Sequence, residues 1–163
     1  MKHLDWCTHI QFKDDVDILT RSNFDVNMRL FKCNIEYATI ILDICNYIER
    51  CANTLKEGYK EPHGWSGANA GFPFNIIALR NGPTMINPKV IHWSGCAAIV
   101  KTNCGSLTLD QSVEAVRDKL IDVEYYDRAG DYIVWKNIGP NPGYTIQHEI
   151  QHTQGFLLRN RPK

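Results

Sequence analysis

The hexapeptide Gln147-His148-Glu149-Ile150-Gln151-His152 constrains this chain more than any other segment. Residues four apart on an α-helix stack on one face with Cβ atoms about 5–6 Å apart, so His148 and His152 can share one ion. Glu149 then stands beside the open position of that ion. A catalytic site of this kind usually takes three protein ligands, so the helix must pack late in the chain against an element that supplies the third. Local signals frame the helix: Asn141 is a good N-cap, Pro142 suits the first helical position, and Gly155 closes the far end in a left-handed conformation.

Upstream, apolar residues recur at positions 30, 33, 37, 38, 41, 44, 45, 48, 52 and 55, with Arg29, Lys32, Glu36, Asp43 and Glu49 between them. That spacing predicts one long amphipathic helix from Leu30 to Leu55, with Cys33 and Cys45 as small buried hydrophobes on its stripe. The Gly-rich segment Gly64 to Gly71 is expected to be neither helix nor strand, a functional loop leading into the apolar run Phe74 to Leu79. Strands are expected at Lys89 to Trp93, Ala97 to Val100 and Leu120 to Tyr126. The last is joined through Asp127-Arg128-Ala129-Gly130 to Tyr132 to Trp135 as a hairpin. A long helix, several short strands and a late buried helix indicate an α+β fold with antiparallel pairing packed on helices. At 163 residues, residues 1–163 read as a single domain with a core that needs no staples.

Composition excludes more than it proposes. Lysine plus arginine equal aspartate plus glutamate at 18 each, so no basic footprint argues for nucleic acid. The start, Met1 to Trp6, lacks the apolar stretch of a signal peptide, and no apolar run reaches spanning length. The expected location is the cytoplasm and the expected state a monomer. There, cysteines 7, 33, 45, 51, 96 and 104 are thiols or ligands rather than a disulfide framework.

Candidates for the third ligand are His92, Cys96, Cys104 and several carboxylates, and spacing does not choose among them. Context favours Cys96, because Gly95 lets the backbone pass close to an ion between two expected strands. With these residues in view, the chain resembles the peptide deformylase family. Gln147 to His152 followed by Gly155 is similar to that family's Q-H-E-x-D-H-x-x-G motif, and Gly95-Cys96 to the centre of its E-G-C-L-S motif. Met85-Ile86-Asn87-Pro88 matches the I-N-P segment that precedes it, and Gly67 to Phe74 resembles the G-x-G-L-A-A-P-Q loop. The form is a divergent and short one, running to Lys163 without the basic C-terminal helix of many bacterial members.

The resemblance implies one divalent metal, ferrous iron or in its place zinc, nickel or cobalt, held by Cys96, His148 and His152. A metal so held lowers the pKa of its water toward neutrality. Glu149 is the implied proton shuttle, and the backbone N–H of Ala97 the implied oxyanion donor. Gly67, Asn69, Phe74, Gly95 and Tyr144 are the implied substrate contacts, whereas Trp135 reads as packing. The implied reaction removes the formyl group from the N-terminal formylmethionine of nascent polypeptides, at the ribosome, releasing formate. Departures from the pattern are specific. Phe74 stands where the family has a glutamine whose amide holds the oxyanion, leaving Asn69 and Asn75 as the nearby amides. Ser94 and Ala97-Ala98 replace the Glu and Leu-Ser of the second motif, and Gln151 replaces an Asp. Two other readings stand beside an active deformylase: a metalloamidase acting on another acylated amine, and a catalytically weak homologue that binds N-termini.

Overall fold

The computed structural model describes residues 22–54, 63–102 and 113–155. The expected long helix is two helices, α1 (Met28–Cys33) and α2 (Ile35–Asn53), broken at Asn34. Asn34 is extended at φ −123° and ψ 110°; its side chain accepts from Tyr37 N, and its own N–H donates to Leu30 O. Asparagine thus ends one helix and caps the next, satisfying amides that a helix terminus leaves open. The break turns α1 out of phase with α2, so Cys33 is exposed rather than buried, while Cys45 and Cys51 lie in the core. Leu55 lies outside the described residues.

The segment expected to be an irregular loop is regular. It forms a short strand, β1 (Gly64–Ser66), and one helical turn, α3 (Gly67–Ala70). Ser66 and Asn69 make a reciprocal capping box, and Gly71 ends the turn at φ 84°, so the glycines serve the turn rather than disorder it. Then follow β2 (Ile76–Leu79), β3 (Thr84–Trp93), β4 (Ala97–Thr102), β5 (Val113–Asp118), β6 (Ile121–Tyr126), β7 (Tyr132–Ile138) and α4 (Pro140–Thr153). An antiparallel five-stranded sheet runs β1-β2-β3-β6-β7, and β4 pairs with β5 in a separate ribbon. The fold is a mixed helix and antiparallel sheet architecture, as the patterning indicated.

Alternation along β2 explains how the site is held. Ile76 and Ala78 face the cluster built on α2, with Ile41, Cys45, Ile48 and Trp65. Ile77 and Leu79 face the opposite cluster, with Met85, Val123, Ile146 and Ile150. A strand covered on both faces reads as a continuous apolar run, and all four residues of β2 are buried. The sheet is therefore sandwiched between α2 and α4. Ile146 and Ile150 are one turn apart on α4 and anchor it to the sheet. Burying each contributes roughly 1.5–3 kcal/mol.

Candidate metal and hydrolytic centre

Once Ile146 and Ile150 face the sheet, a turn of about 100° per residue sends Gln147 to one flank of α4 and Glu149 to the other. His148 and His152 are left on the remaining face, where they are nonetheless buried. The element spans Pro140–Thr153 with Gly139 before it, but Asn141, extended at φ −117° and ψ 107°, and Pro142, at φ −99° and ψ 16°, break its first turn, so the continuous helix that bears the histidines follows the Asn141-Pro142 pair expected to open it. At the far end Gly155 is left-handed at φ 87°.

Each flank has a partner. Gln147 Oε1 accepts from Asp118 N at 2.8 Å, and its Nε2 donates to Asp118 O at 2.8 Å, so one side chain grips both backbone groups at the end of β5. Asp118 in turn accepts from Ser94 N at 3.1 Å and from the Ser94 hydroxyl, which holds its carboxyl below the usual range. Ser94 Oγ accepts from Cys96 N at 3.2 Å, and Lys119 N donates to Cys96 O at 2.9 Å. The turn carrying Gly95, at φ 77°, and Cys96 is thus tied through Asp118 to the helix of the histidine pair. On the opposite flank stands Gly64. A Cβ there would lie 2.9 Å from Thr145 Cγ2 and 3.2 Å from Glu149 Cγ, so glycine lets β1 pass directly beside the glutamate stem.

The imidazoles converge. His148 Nε2 and His152 Nε2 are 3.1 Å apart, with ring centroids at 4.7 Å in an edge-to-face arrangement. Two nitrogens bound at about 2.0–2.1 Å to one tetrahedral ion stand roughly 3.3 Å apart, so this spacing fits a shared ion. Glu149 Oε1 is 3.9 Å from His148 Nε2, and Glu149 Oε2 is buried without a hydrogen-bond partner. Burial pushes the Glu149 carboxyl up to about 8. Burial and then the neighbouring His152 push His148 well below the usual imidazole value. A neutral imidazole offers a lone pair, and a carboxyl that titrates near neutrality can take and return a proton.

The other expected site residues are not gathered as closely. Cys96 is exposed, and among the described residues no three His, Cys, Asp or Glu side chains are arranged to hold an ion. Ala97, at the start of β4, is exposed and pairs in register with Asp118, and Tyr144 is half-buried on the first turns of α4. His92 is exposed on β3. Cys104 lies outside the described residues. Neither asparagine amide is idle. Asn69 Oδ1 accepts from the Ser66 hydroxyl at 2.6 Å, and Asn75 Nδ2 donates to Asp25 at 2.6 Å. Phe74 packs against the α2 cluster, while Gly67 is so close to the Phe74 carbonyl that a Cβ would stand 2.5 Å from it. The glycine that meets Glu149 is Gly64, three positions before the Gly67 block.

Three residues at this centre escaped the sequence reading. In the sequence Gln147 stands out only as part of the motif. Gly64 was one of several glycines. Arg117, on β5, is almost wholly buried, with its Nη2 3.5 Å from His148 Nδ1. A single buried arginine in an otherwise unremarked segment gave no local signal.

A family model described as polypeptide deformylase matches residues 53–163. A peptide deformylase of Streptococcus pyogenes is 35% identical over 79 residues, covering 47% of this chain and 38% of that protein. The match thus spans well under half the length of the curated relatives. Among solved structures, the actinonin-bound class I type b peptide deformylase of Acinetobacter baumannii superposes with a TM-score of 0.69 at 19% identity. It covers 94% of this chain and 98% of the other. Peptide deformylase from Thermotoga maritima gives 0.66 at 18% identity, covering 95% and 99%. At such identities the likeness is one of fold.

Proposed function

The chain belongs to the polypeptide deformylase family, and from that membership we propose that it hydrolyses the formyl amide of N-terminal formylmethionine on nascent polypeptides, releasing formate. One observation carries the reading: on α4 two buried imidazoles converge at 3.1 Å beside a buried carboxyl group that has an oxygen without a partner. A stability-only helix has no use for that set, since burying such groups costs free energy unless they are paired.

In this reading His148, His152 and Cys96 hold one divalent cation, with ferrous iron first and zinc, nickel or cobalt in its place. Cys96 reaches the pair by turning inward on the Gly95 turn, where the glycine has open space around it. The cation, when bound, supplies Lewis acidity toward water and the formyl carbonyl. Glu149 takes the proton of the attacking water and returns it to the departing amine, a role worth typically about 10²–10⁴-fold. A positive charge arriving beside Glu149 favours its ionised form and converts it from stored acid to base. The Ala97 N–H faces the oxyanion, Gly67, Asn69, Phe74, Gly95 and Tyr144 border the peptide, and the work is done in the cytoplasm by a monomer. No helix among the described residues is long and apolar enough to cross a membrane.

The exposed Cys96 and the Asn75 amide donor committed to Asp25 favour a second reading, a weak homologue that binds N-termini. Formate release from a formyl-Met peptide by anaerobically purified, metal-analysed protein decides between them. The proposal expects turnover that stops with Glu149→Ala at unchanged metal content. Binding of the peptide without formate release, in metal-loaded protein, refutes it.

A further inference from the structure

The turn that carries Cys96 is not held by packing. Ser94, Gly95 and Cys96 are all exposed, and a Cβ built on Gly95 would meet no atom within 4 Å. Hydrogen bonds must therefore decide where the thiol stands, and most of them lead to one carboxylate. Asp118 Oδ1 accepts from Ser94 N at 3.1 Å, from the Ser94 hydroxyl, and from Leu120 N at 3.4 Å. Having given its proton to Asp118, Ser94 Oγ accepts in turn from Cys96 N at 3.2 Å. Lys119 N, next to Asp118, closes the turn by donating to Cys96 O at 2.9 Å.

Asp118 is fixed from its other side. Gln147, buried on α4 immediately before His148, holds both the N–H and the C=O of Asp118 at 2.8 Å. A continuous path thus runs from the helix of the histidine pair to the cysteine, through the Gln147 amide, the Asp118 backbone and carboxylate, the Ser94 hydroxyl and the Cys96 N–H. A carboxylate suits the middle of that path, because it only accepts, has room for several donors, and bonds them roughly twice as strongly as a neutral oxygen does. The turn has no carboxylate of its own, since Ser94 stands where the family's second motif has glutamate.

We propose that Asp118 is a positioning residue, whose carboxylate acts through Ser94 to hold the Cys96 turn against α4 and so allows the thiolate to join the histidine pair on a divalent cation. The assignment rests on reading Cys96, His148 and His152 as the ligands. An exposed turn released from Asp118 would have to be ordered by the cation itself, and that cost falls on affinity.

The test uses Co²⁺ alone, with affinity measured by competition with a chelating dye and cysteine ligation by the thiolate-to-cobalt absorption band. Asp118→Ala and Ser94→Ala should each weaken Co²⁺ binding by about 10–100-fold, the range typical of groups that orient a ligand, and should lower the thiolate band per bound cobalt. Because the two act in series, the double variant should bind no more weakly than Asp118→Ala, whereas independent contributions would multiply. Ser94→Thr keeps the hydroxyl and should match wild type. Wild-type affinity and a full thiolate band in Asp118→Ala overturn the proposal, as do losses that multiply in the double variant. If Asp118→Ala does not fold, the exposed Ser94 decides: a loss in Ser94→Ala that Ser94→Thr restores supports the proposal, and wild-type binding by Ser94→Ala overturns it. A thiolate band that is missing from cobalt-loaded wild type, or that survives in Cys96→Ala, removes Cys96 from the ligand set and overturns the ligand reading together with this one.

Discussion

Replacing Glu149 by glutamine should make the metal-free protein more stable, and by an amount that grows with pH. The carboxyl is buried, one of its oxygens has no partner, and its pKa is raised from 4.5 to about 8. A group whose folded pKa is raised contributes its full stability below the unfolded value and loses it as pH rises toward the folded one. Below pH 4.5 the carboxyl is neutral in both states, and Glu149→Gln should change little. Between pH 4.5 and 8 the unfolded chain ionises while the folded one resists, and each pH unit costs the wild type about 1.4 kcal/mol. The deficit is about 3 kcal/mol at pH 7 and approaches roughly 5 kcal/mol above pH 8. Glutamine has the same shape and no charge to desolvate, so the variant escapes that loss. The assay is guanidinium unfolding of chelator-treated wild type and variant from pH 4.5 to 8.5. A stability difference that stays flat across that range refutes the reasoning, because it would mean that Glu149 ionises in the folded protein as easily as in the unfolded one.

Cys96→Ala, His148→Ala and His152→Ala should each sharply lower bound metal, while His92→Ala and Cys104→Ala should not. Metal analysis that finds Cys104→Ala depleted and Cys96→Ala intact reassigns the third ligand. Gly64→Ala places a methyl 2.9 Å from Thr145 Cγ2 and 3.1 Å from the Ala78 carbonyl, and should cost about 1–3 kcal/mol by thermal denaturation, as overpacking does. The buried thiols of Cys45 and Cys51 are pushed up to about 12, so alkylation followed by peptide mapping should find them unmodified in the native protein even at pH 10 while Cys96 reacts. Their raised values also mean a stability contribution that is intact below about pH 9 and lost between there and pH 12, as the unfolded chain gains thiolates first.

What could be read from the sequence was what depends on local spacing. The pairing of His148 with His152 follows from one helical turn, and the β6–β7 hairpin follows from two alternating runs joined by Asp127 to Gly130. What could not be read depends on partners far along the chain. Asn34 looks neutral inside a helical pattern, and only its cap to Tyr37 and the path of α1 reveal a break. β5 went unrecognised because its inward positions are Ala115 and Arg117, and a buried arginine inverts the alternation on which strand recognition relies. The Gly64 to Gly71 segment was misread because its capping box uses Asn69 where a glutamate would have been the clearer signal. Arg117 and Gln147 acquire roles only through His148 and Asp118, which lie 31 and 29 residues away from them in sequence.

The four residues of β2 belong to both halves of the interior at once. A one-residue slip of this strand would exchange the side chains presented to the two helices, so neither half can be repaired without disturbing the other. Loosening on the α2 side therefore reaches the strand on which the α4 anchors rest. The amides of α2, of β2 and of the helix bearing His148 should accordingly exchange with solvent through one common opening, at a rate set by the whole fold rather than by its parts.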